Sequence, residues 1–269
     1  MNTEFWIQPP SGEFLENDYW NDEEQEKSKE FFILDGDFGK LERFLEKTGL
    51  GRDLERCLEL LKRQFDITLG GAGIDLAGGN LWAVPYLLKS GRVTHLHCLE
   101  RSHHRLFKLG PNLIRHYGID ESRITLVYGD FHDIHLPDGS LDFVFLSAAF
   151  HHAAEPKKLL REIRRVLKDR GVAIIIGEHH VDFQKAWLKN LGKLILQALL
   201  PAHVQTLMFG KQLAPRPLWA KTCDLFPPDP LLGDHFYSLR EYRRMFTGFD
   251  MCDFHNPSNR FRSFVLVKR

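Results

Sequence analysis

The stretch "GIDLAGGNLWAVPYLL", Gly73 to Leu88, decides the fold of this chain. Its apolar start reads as a buried strand, Gly78 and Gly79 as a tight turn, and the spacing after them as an amphipathic helix. Such a turn raises the question of a nucleotide-binding loop. A dinucleotide loop needs glycines spaced GxGxxG, so that a pyrophosphate can approach the helix N-terminus. After Asp75 the order is Leu-Ala-Gly-Gly-Asn-Leu-Trp, which fits no GxGxxG, and Trp82 occupies space a second phosphate would need. No Gly-Lys-Ser/Thr follows, which excludes a Walker loop. Taken alone, the turn is equally compatible with a plain structural connection.

Outward from this stretch, short apolar runs alternate with helical patterns. Strands are predicted at Gly73–Leu76, Thr94–Leu99, Ile124–Tyr128, Asp142–Leu146 and Val172–Ile176, and helices at Leu81–Lys89, Ser102–His116 and Pro156–Lys168. The strands are apolar on both faces, as expected when helices cover both sides of a parallel sheet. This is an α/β, Rossmann-like, doubly wound pattern. Near the C-terminus, "SLREYRRMF" sets Ser238 and Glu241 as a capping box, and two strand-like segments follow, joined by "NPSN". The connection is short enough for an antiparallel hairpin, giving a mostly parallel sheet of seven strands.

Four divisions follow: residues 1–64 as an arm and helices, 65–180 as the core, 181–235 as an insertion, and 236–269 completing the core. The acidic first stretch, to about Lys29, reads as a loosely held arm, although Trp6, Tyr19 and Trp20 could dock on the body. From Gly39 to Gln64, apolar residues recur at helical spacing, including Leu41 and Phe44.

Composition narrows the function. Lys plus Arg equals Asp plus Glu at 36 each, so no overall field draws the chain to nucleic acid. Cys57, Cys98, Cys223 and Cys252 have no CxxC pairing, which argues against a cysteine zinc site or a disulfide framework. The N-terminus lacks the basic start and apolar run of a signal peptide, and no run approaches the roughly 20 residues that span a bilayer. A cytoplasmic location is the expectation.

Further residues stand at the carboxyl ends of the predicted strands, where open α/β sheets bind ligands. Glu100 ends the second strand at a spacing that suits an acid meeting a ribose hydroxyl pair. "YGDFHD" ends the third: Asp130 could accept from an exocyclic amine, and Phe131 offers a face for a purine ring. "LSAAFHH" closes the fourth, with the small polar Ser147 at its mouth. Each has a structural reading too: Glu100 as a solvated strand-end acid, Phe131 as core. Their occurrence together and in order carries more weight than any one.

The sequence resembles class I S-adenosylmethionine (SAM)-dependent methyltransferases of the small-molecule type that includes ubiquinone/menaquinone methyltransferases. The resemblance covers roughly residues 65–178, most strongly "DGSLDFVFLSAAFHHAAEPKKLLREIRRVLKDRGVAIIIGE", and more loosely the last helix and hairpin. The family loop, hydrophobic-Asp-hydrophobic-Gly/Ala-x-Gly-x-Gly, is met by Ile74, Asp75, Leu76, Ala77, Gly78, Gly79, Asn80 and Leu81, with Leu81 in place of the last glycine. It implies that Asp75 and the Ala77–Asn80 loop hold the cofactor. Glu100, with Arg101 beside it, would bind the ribose hydroxyls. Asp130, preceded by Gly129, would read the adenine amine with Phe131 against the ring. Ser147 and Ala148 would line the path near the amino-acid part. SAM would be the cofactor and S-adenosylhomocysteine the product.

A sulfonium methyl is already activated, so in-line positioning does most of the chemistry, and a general base is needed only where the acceptor must lose a proton. His151 and His152 are the candidate bases, with Glu178, His179 and His180 at the same edge. A structural reading of "FHH", capping a helix or packing the loop, stands beside the catalytic one. Glu178, His179 and His180 suit a metal poorly, because adjacent strand residues point to opposite faces; no metal centre is expected.

In the insertion, Lys185, Lys189 and Lys193 share one helix face and Trp187, Leu188, Leu191, Leu194, Ile195 and Leu199 gather towards the other. A lid over the acceptor is favoured, with Trp187, Phe209, Trp219 and Phe226 lining a partly apolar pocket; membrane-surface contact by residues 183–200 is the less favoured reading. The expected function is methyl transfer to a small-molecule acceptor, at oxygen before nitrogen or carbon, with no nucleic-acid partner. A noncatalytic Rossmann-like partner subunit is the alternative, and an NAD oxidoreductase is disfavoured by the missing GxGxxG.

Overall fold

The computed structural model describes residues 1–8, 19–30, 32–33, 36–228, 233–256 and 261–269. Among these, the strands are β1 (Asn2–Phe5), β2 (Gly71–Leu76), β3 (Val93–Glu100), β4 (Ile124–Tyr128), β5 (Leu141–Ser147), β6 (Leu167–Glu178), β7 (Phe249–His255) and β8 (Arg262–Lys268). They form one sheet in the order β1-β4-β3-β2-β5-β6-β8-β7. All pairings from β1 to β6 are parallel; β8 runs antiparallel to β6, and β7 to β8. The chain winds from β2 outward through β3 to β4, then crosses back to β5 on the other side of β2. That reversal opens a crevice at the strand carboxyl ends between β2 and β5.

The expected doubly wound sheet with its C-terminal hairpin is present, and one strand is added to the seven. Asn2–Phe5, read as part of a loose arm, pairs in parallel with β4 through Thr125–Tyr128. All four of its residues are exposed, so its sequence carries no apolar signature; it is held by backbone bonding along an edge. The arm residues 9–18 and the hairpin turn at 257–260 lie outside the described residues.

Strict alternation sorts the sheet's side chains between two cores. Phe143, Phe145, Ile174, Ile176, Val265 and Val267 face one core with α2 (Phe38–Thr48) and α3 (Leu50–Phe65), through Leu41, Leu54 and Leu61. Val144, Leu146, Ala173, Ile175, Phe264 and Leu266 face the other with α6 (Pro156–Val166) and α10 (Leu239–Met245), through Leu159, Ile163 and Tyr242. Gly73 has a packing role: a Cβ there would sit 2.2 Å from the Phe143 ring on the paired strand.

The remaining helices are α1 (Glu23–Glu26), α4 (Val84–Leu88), α5 (Gly110–His116), α7 (Phe183–Leu199), α8 (Ala202–Phe209) and α9 (Thr222–Leu225). Two differ from expectation. The helix predicted from Leu81 begins only at Val84, because Leu81 itself has φ 66°. The helix predicted over Ser102–His116 opens as a π turn, Arg105–Leu109, before α5. Pro111 has no N–H to close the α-helical bond at this junction, and such a missing donor favours a widened turn. The capping box at Ser238 and Glu241 forms as read, with both reciprocal bonds present. No helix among the described residues is long and apolar enough to cross a membrane.

Candidate active site

The loop after β2 takes its shape from alternating left-handed residues: Ala77 (φ 55°), Gly79 (φ 58°) and Leu81 (φ 66°). Ala77 and Leu81 adopt this region at a cost, and such outliers cluster at ligand sites where the surroundings over-determine them. Gly78 N–H donates to Leu99 O at 3.0 Å, and Leu81 N–H to Gly78 O at 2.9 Å. The Leu81 side chain, fully buried, lies against Gly110, where a Cβ would come within 2.7 Å of it. A glycine on the neighbouring helix thus makes room for the leucine that replaces the loop's last glycine. At Gly79 a Cβ would meet nothing within 4 Å, which leaves the backbone open to close approach.

Glu100 ties this loop to β3. One carboxylate oxygen accepts from Gly79 N–H at 2.7 Å, and the other from Arg101 and Ser102 N–H, both at 2.8 Å. Beneath the loop, Asp75 is 1% exposed and neither carboxylate oxygen has a hydrogen-bond partner. Burial, and secondarily the nearby Glu100 charge, push its carboxyl well above the usual range. At the end of β4, Asp130 accepts from both the N–H and Nδ1 of His132 at 2.8 Å. The hydrogen bond from His132 holds the Asp130 carboxyl below its ordinary value against the opposing effect of burial. Glu155 N–H donates to His132 Nε2 at 3.3 Å, so this ring carries its proton on Nδ1.

These groups border one cavity of about 460 Å³, within the usual range for small-molecule sites. Of the expected cofactor residues, Ala77, Gly78, Gly79, Asn80, Glu100, Arg101, Gly129, Asp130, Phe131, Ser147 and Ala148 all line it. Asp75 does not; it acts from below the loop. Ser147 Oγ is buried in the wall without a partner, and Ala148 beside it has φ 48°. Two acids, an aromatic ring, an open backbone loop and an unpartnered hydroxyl around one cavity suit a ligand that joins a nucleoside to a polar tail. SAM fits that description.

The two candidate bases are separated by the fold. His152 lines the cavity, whereas His151 is 3% exposed and does not. His151 Nδ1 donates to Glu178 at 3.0 Å, and the other oxygen of Glu178 accepts from Ala149 and Phe150 N–H at 3.2 and 3.1 Å. Tyr242 OH lies 3.3 Å from the same carboxylate and donates to His179 O at 2.8 Å. Burial alone would raise the Glu178 carboxyl, but the His151 charge and these donors hold it below its usual value. His151 therefore packs the loop. His152 Nδ1 approaches Asp234 at 2.7 Å.

Glu178, His179 and His180 are not the trio that could surround an ion. Among the described residues His151, His179 and Asp234 are, with one ligand atom each within 4.8 Å of one another. His151 and Asp234 already have the partners just named.

Several lining residues escaped the sequence. Trp20, from the arm, stands between the Arg105 guanidinium, 5.2 Å from its ring, and His152, edge-on at 5.0 Å. Leu41, Phe44 and Leu50 form an apolar wall from α2 and α3. Leu41 and Phe44 were visible as a helical stripe, but nothing in their spacing says that it reaches the ligand crevice. Conversely, no residue of 181–235 among those described borders the cavity. Phe209 and Trp219, expected to line an acceptor pocket, are 41% and 83% exposed, and Trp187 instead donates to Leu218 O at 3.0 Å.

Residues 74–175 match the family model described as a methyltransferase domain. None of the curated proteins matches the chain. Among solved structures, the chain is similar to a Haloferax volcanii complex of the Trm112 methyltransferase activator with its designated methyltransferase. Identity is 17% and the TM-score 0.51, over 83% of this chain and 93% of that one. It is also similar to the YcgJ protein of Bacillus subtilis, at 14% identity and TM-score 0.50, over 80% of this chain and 99% of that one. A third likeness is to a Methanococcus maripaludis protein designated an S-adenosyl-L-methionine-dependent methyltransferase, at 17% identity and TM-score 0.50, over 85% and 91%. At these identities the structural likeness speaks for the fold, while the domain match speaks for the chemistry. Residues 74–175 thus carry a methyltransferase domain, set in the α/β Rossmann-like fold that those structures share.

Proposed function

We propose that this enzyme transfers the methyl group to an oxygen of a small-molecule acceptor, with His152 as the general base. The observation that carries the reading is a cavity of about 460 Å³ that Glu100, Asp130, Phe131, Ser147 and His152 line together. S-adenosylmethionine, when bound, supplies a methyl on a sulfonium already activated for displacement. Glu100 and Asp130 are the acceptors for hydroxyl and amine donors of the nucleoside, and Phe131 offers its ring face. Gly79 allows backbone contact, and Ser147 Oγ meets a polar group of the ligand's tail. Trp20 and Phe44 wall the cavity with apolar surface, which strengthens the electrostatic contacts inside by excluding water. Holding an acceptor oxygen in line is worth roughly 7–11 kcal/mol of barrier.

His152 is the ring of the pair that reaches the cavity, and Asp234, 2.7 Å from its Nδ1, holds that ring in place. Screening phenols, alcohols and carboxylates with methyl-labelled SAM tests the acceptor class. His152→Gln is expected to slow transfer by about 10²–10⁴-fold with cofactor affinity unchanged. Full activity in that variant removes the base, and transfer only to nitrogen or carbon acceptors removes the oxygen assignment. Cofactor binding without turnover on any acceptor would speak for a noncatalytic partner subunit.

A further inference from the structure

The segment between β6 and α10 is built inside out. In α7 the buried residue is Asn190, and in α8 it is Gln205. Both bond backbone groups, mostly of the returning chain. Asn190 donates to Arg216 O at 2.8 Å and accepts from Arg216 N–H at 2.7 Å; Gln205 donates to Leu200 O at 2.7 Å and accepts from Leu213 N–H at 3.0 Å. The large apolar side chains point outward instead. Leu188 is 61% exposed, Leu199 71%, Leu207 87%, Met208 61% and Trp219 83%. Of the exposed large hydrophobics among the described residues, all but Phe5 and Tyr117 fall between 188 and 219. Water is a poor solvent for such a surface, and a concentration of this kind marks an interaction site.

Charge says what covers it. From Phe183 to Cys223 there is no Asp or Glu, while Lys185, Lys189, Lys193, Lys211, Arg216 and Lys221 are all present and all exposed. The whole chain is balanced, so the remainder carries six more acids than bases. At about 100° per residue, the lysine stripe of α7 flanks the stripe of Leu188, Ile195 and Leu199. A protein interface is depleted in lysine at its core. Apolar side chains rimmed by cations, with an exposed tryptophan, are what an anionic lipid surface takes up.

We infer that residues 183–221 dock this enzyme on an anionic membrane surface. The helices lie in the interface with Leu199, Leu207, Met208 and Trp219 in the acyl boundary and the lysines at the headgroups. The acidic remainder is repelled by the same surface, so the contact fixes one orientation. The segment leaves the sheet at the carboxyl end of β6, the edge that also holds the cavity.

Flotation of the full chain with phosphatidylcholine vesicles, with and without phosphatidylserine, tests this. The protein is expected to float with the phosphatidylserine vesicles only, and to be released by high salt. Leu207→Gln and Trp219→Ser alter exposed side chains, so folding should survive; each is expected to lower partitioning by roughly tenfold. Lys189→Glu with Lys193→Glu should do the same, and thermal melts and SAM binding of all three should match the parent. No flotation, flotation indifferent to phosphatidylserine, or flotation unchanged in these variants would overturn the inference. So would a concentration-dependent increase in mass that Leu207→Gln abolishes while vesicle binding is absent, since the face would then join two copies of this chain. Vesicle binding is read without cofactor, so its failure leaves the methyltransferase reading untouched.

Discussion

At the scale of single residues, two acids do different work in the same place. Glu100 gathers three backbone N–H groups, so Glu100→Ala should loosen the loop as well as remove a ligand contact. SAM affinity is expected to fall by about 1.5–3 kcal/mol, together with a drop in melting temperature, both readable by calorimetry. The Asp130 carboxylate accepts from His132, on the following turn, and ties no separate strand to the loop, so Asp130→Ala should cost comparable affinity with little change in the melt. Asp75 gives a pH signature. Its ordinary carboxyl value is 3.8, and its folded value is raised well above that. Between the two the folded chain keeps a proton that the unfolded chain releases, so stability falls as pH climbs through that window. Asp75→Asn removes the penalty. Without ligand, it should melt higher than the parent above about pH 4, by a margin that grows with pH, and the two should converge below. A constant difference across pH would show that Asp75 is not the group responsible. The placement of Asp75 and Glu100 towards the carboxyl ends of their strands was legible in the sequence. Their division of labour was not, because which carboxylate faces the loop and which lies beneath it depends on the strained turn at Ala77 and Leu81.

At the scale of elements, the acidic N-terminal stretch shows the limit of composition. "NDEEQEKSKE" reads as solvated charge, yet Glu26 is fully buried, held by His104 Nε2 at 2.7 Å and by two contacts from Arg105. Burial alone would raise its carboxyl, but Arg105, His104 and Lys29 hold it at about 2 against an ordinary 4.5. A carboxyl lowered in this way stabilises the fold fully above the unfolded value, and the contribution is lost as pH falls from about 4.5 through about 2. Glu26→Ala removes the buried carboxylate that His104 and Arg105 share and should cost about 3–5 kcal/mol in denaturant titration at neutral pH. In Glu26→Gln the acid-induced loss between those values should be smaller than in the parent. The same clamp places Trp20 over the cavity, so both variants should also weaken the ligand site. One glutamate among several carries this, and no periodicity marks it. The strands, by contrast, were legible because burial on both faces leaves only apolar runs, as in "ITLVY" and "VAIII". The short helix after the loop was misjudged at its start, since a left-handed leucine leaves no trace in the pattern.

At the scale of the molecule, the doubly wound sheet puts the ends of β2, β3, β4 and β5 around one crevice, and the candidate cofactor residues arrive there from four separate segments. That convergence was readable, because each segment sits at a strand's carboxyl end and the topology does the rest. The insertion was readable as amphipathic but not as outward-facing, since a lid and a membrane face share one pattern. The burial of Asn190 and Gln205 beside the exposed Leu199, Leu207 and Trp219 is visible only in the folded chain. The most direct test of the whole reading is isothermal titration of the full chain with S-adenosylhomocysteine, repeated with NAD. Saturable binding of S-adenosylhomocysteine that weakens in both Glu100→Ala and Asp130→Ala, with no heat from NAD, is the expected result. No heat and no thermal shift with S-adenosylhomocysteine or SAM, or affinity unchanged in both variants, would contradict it.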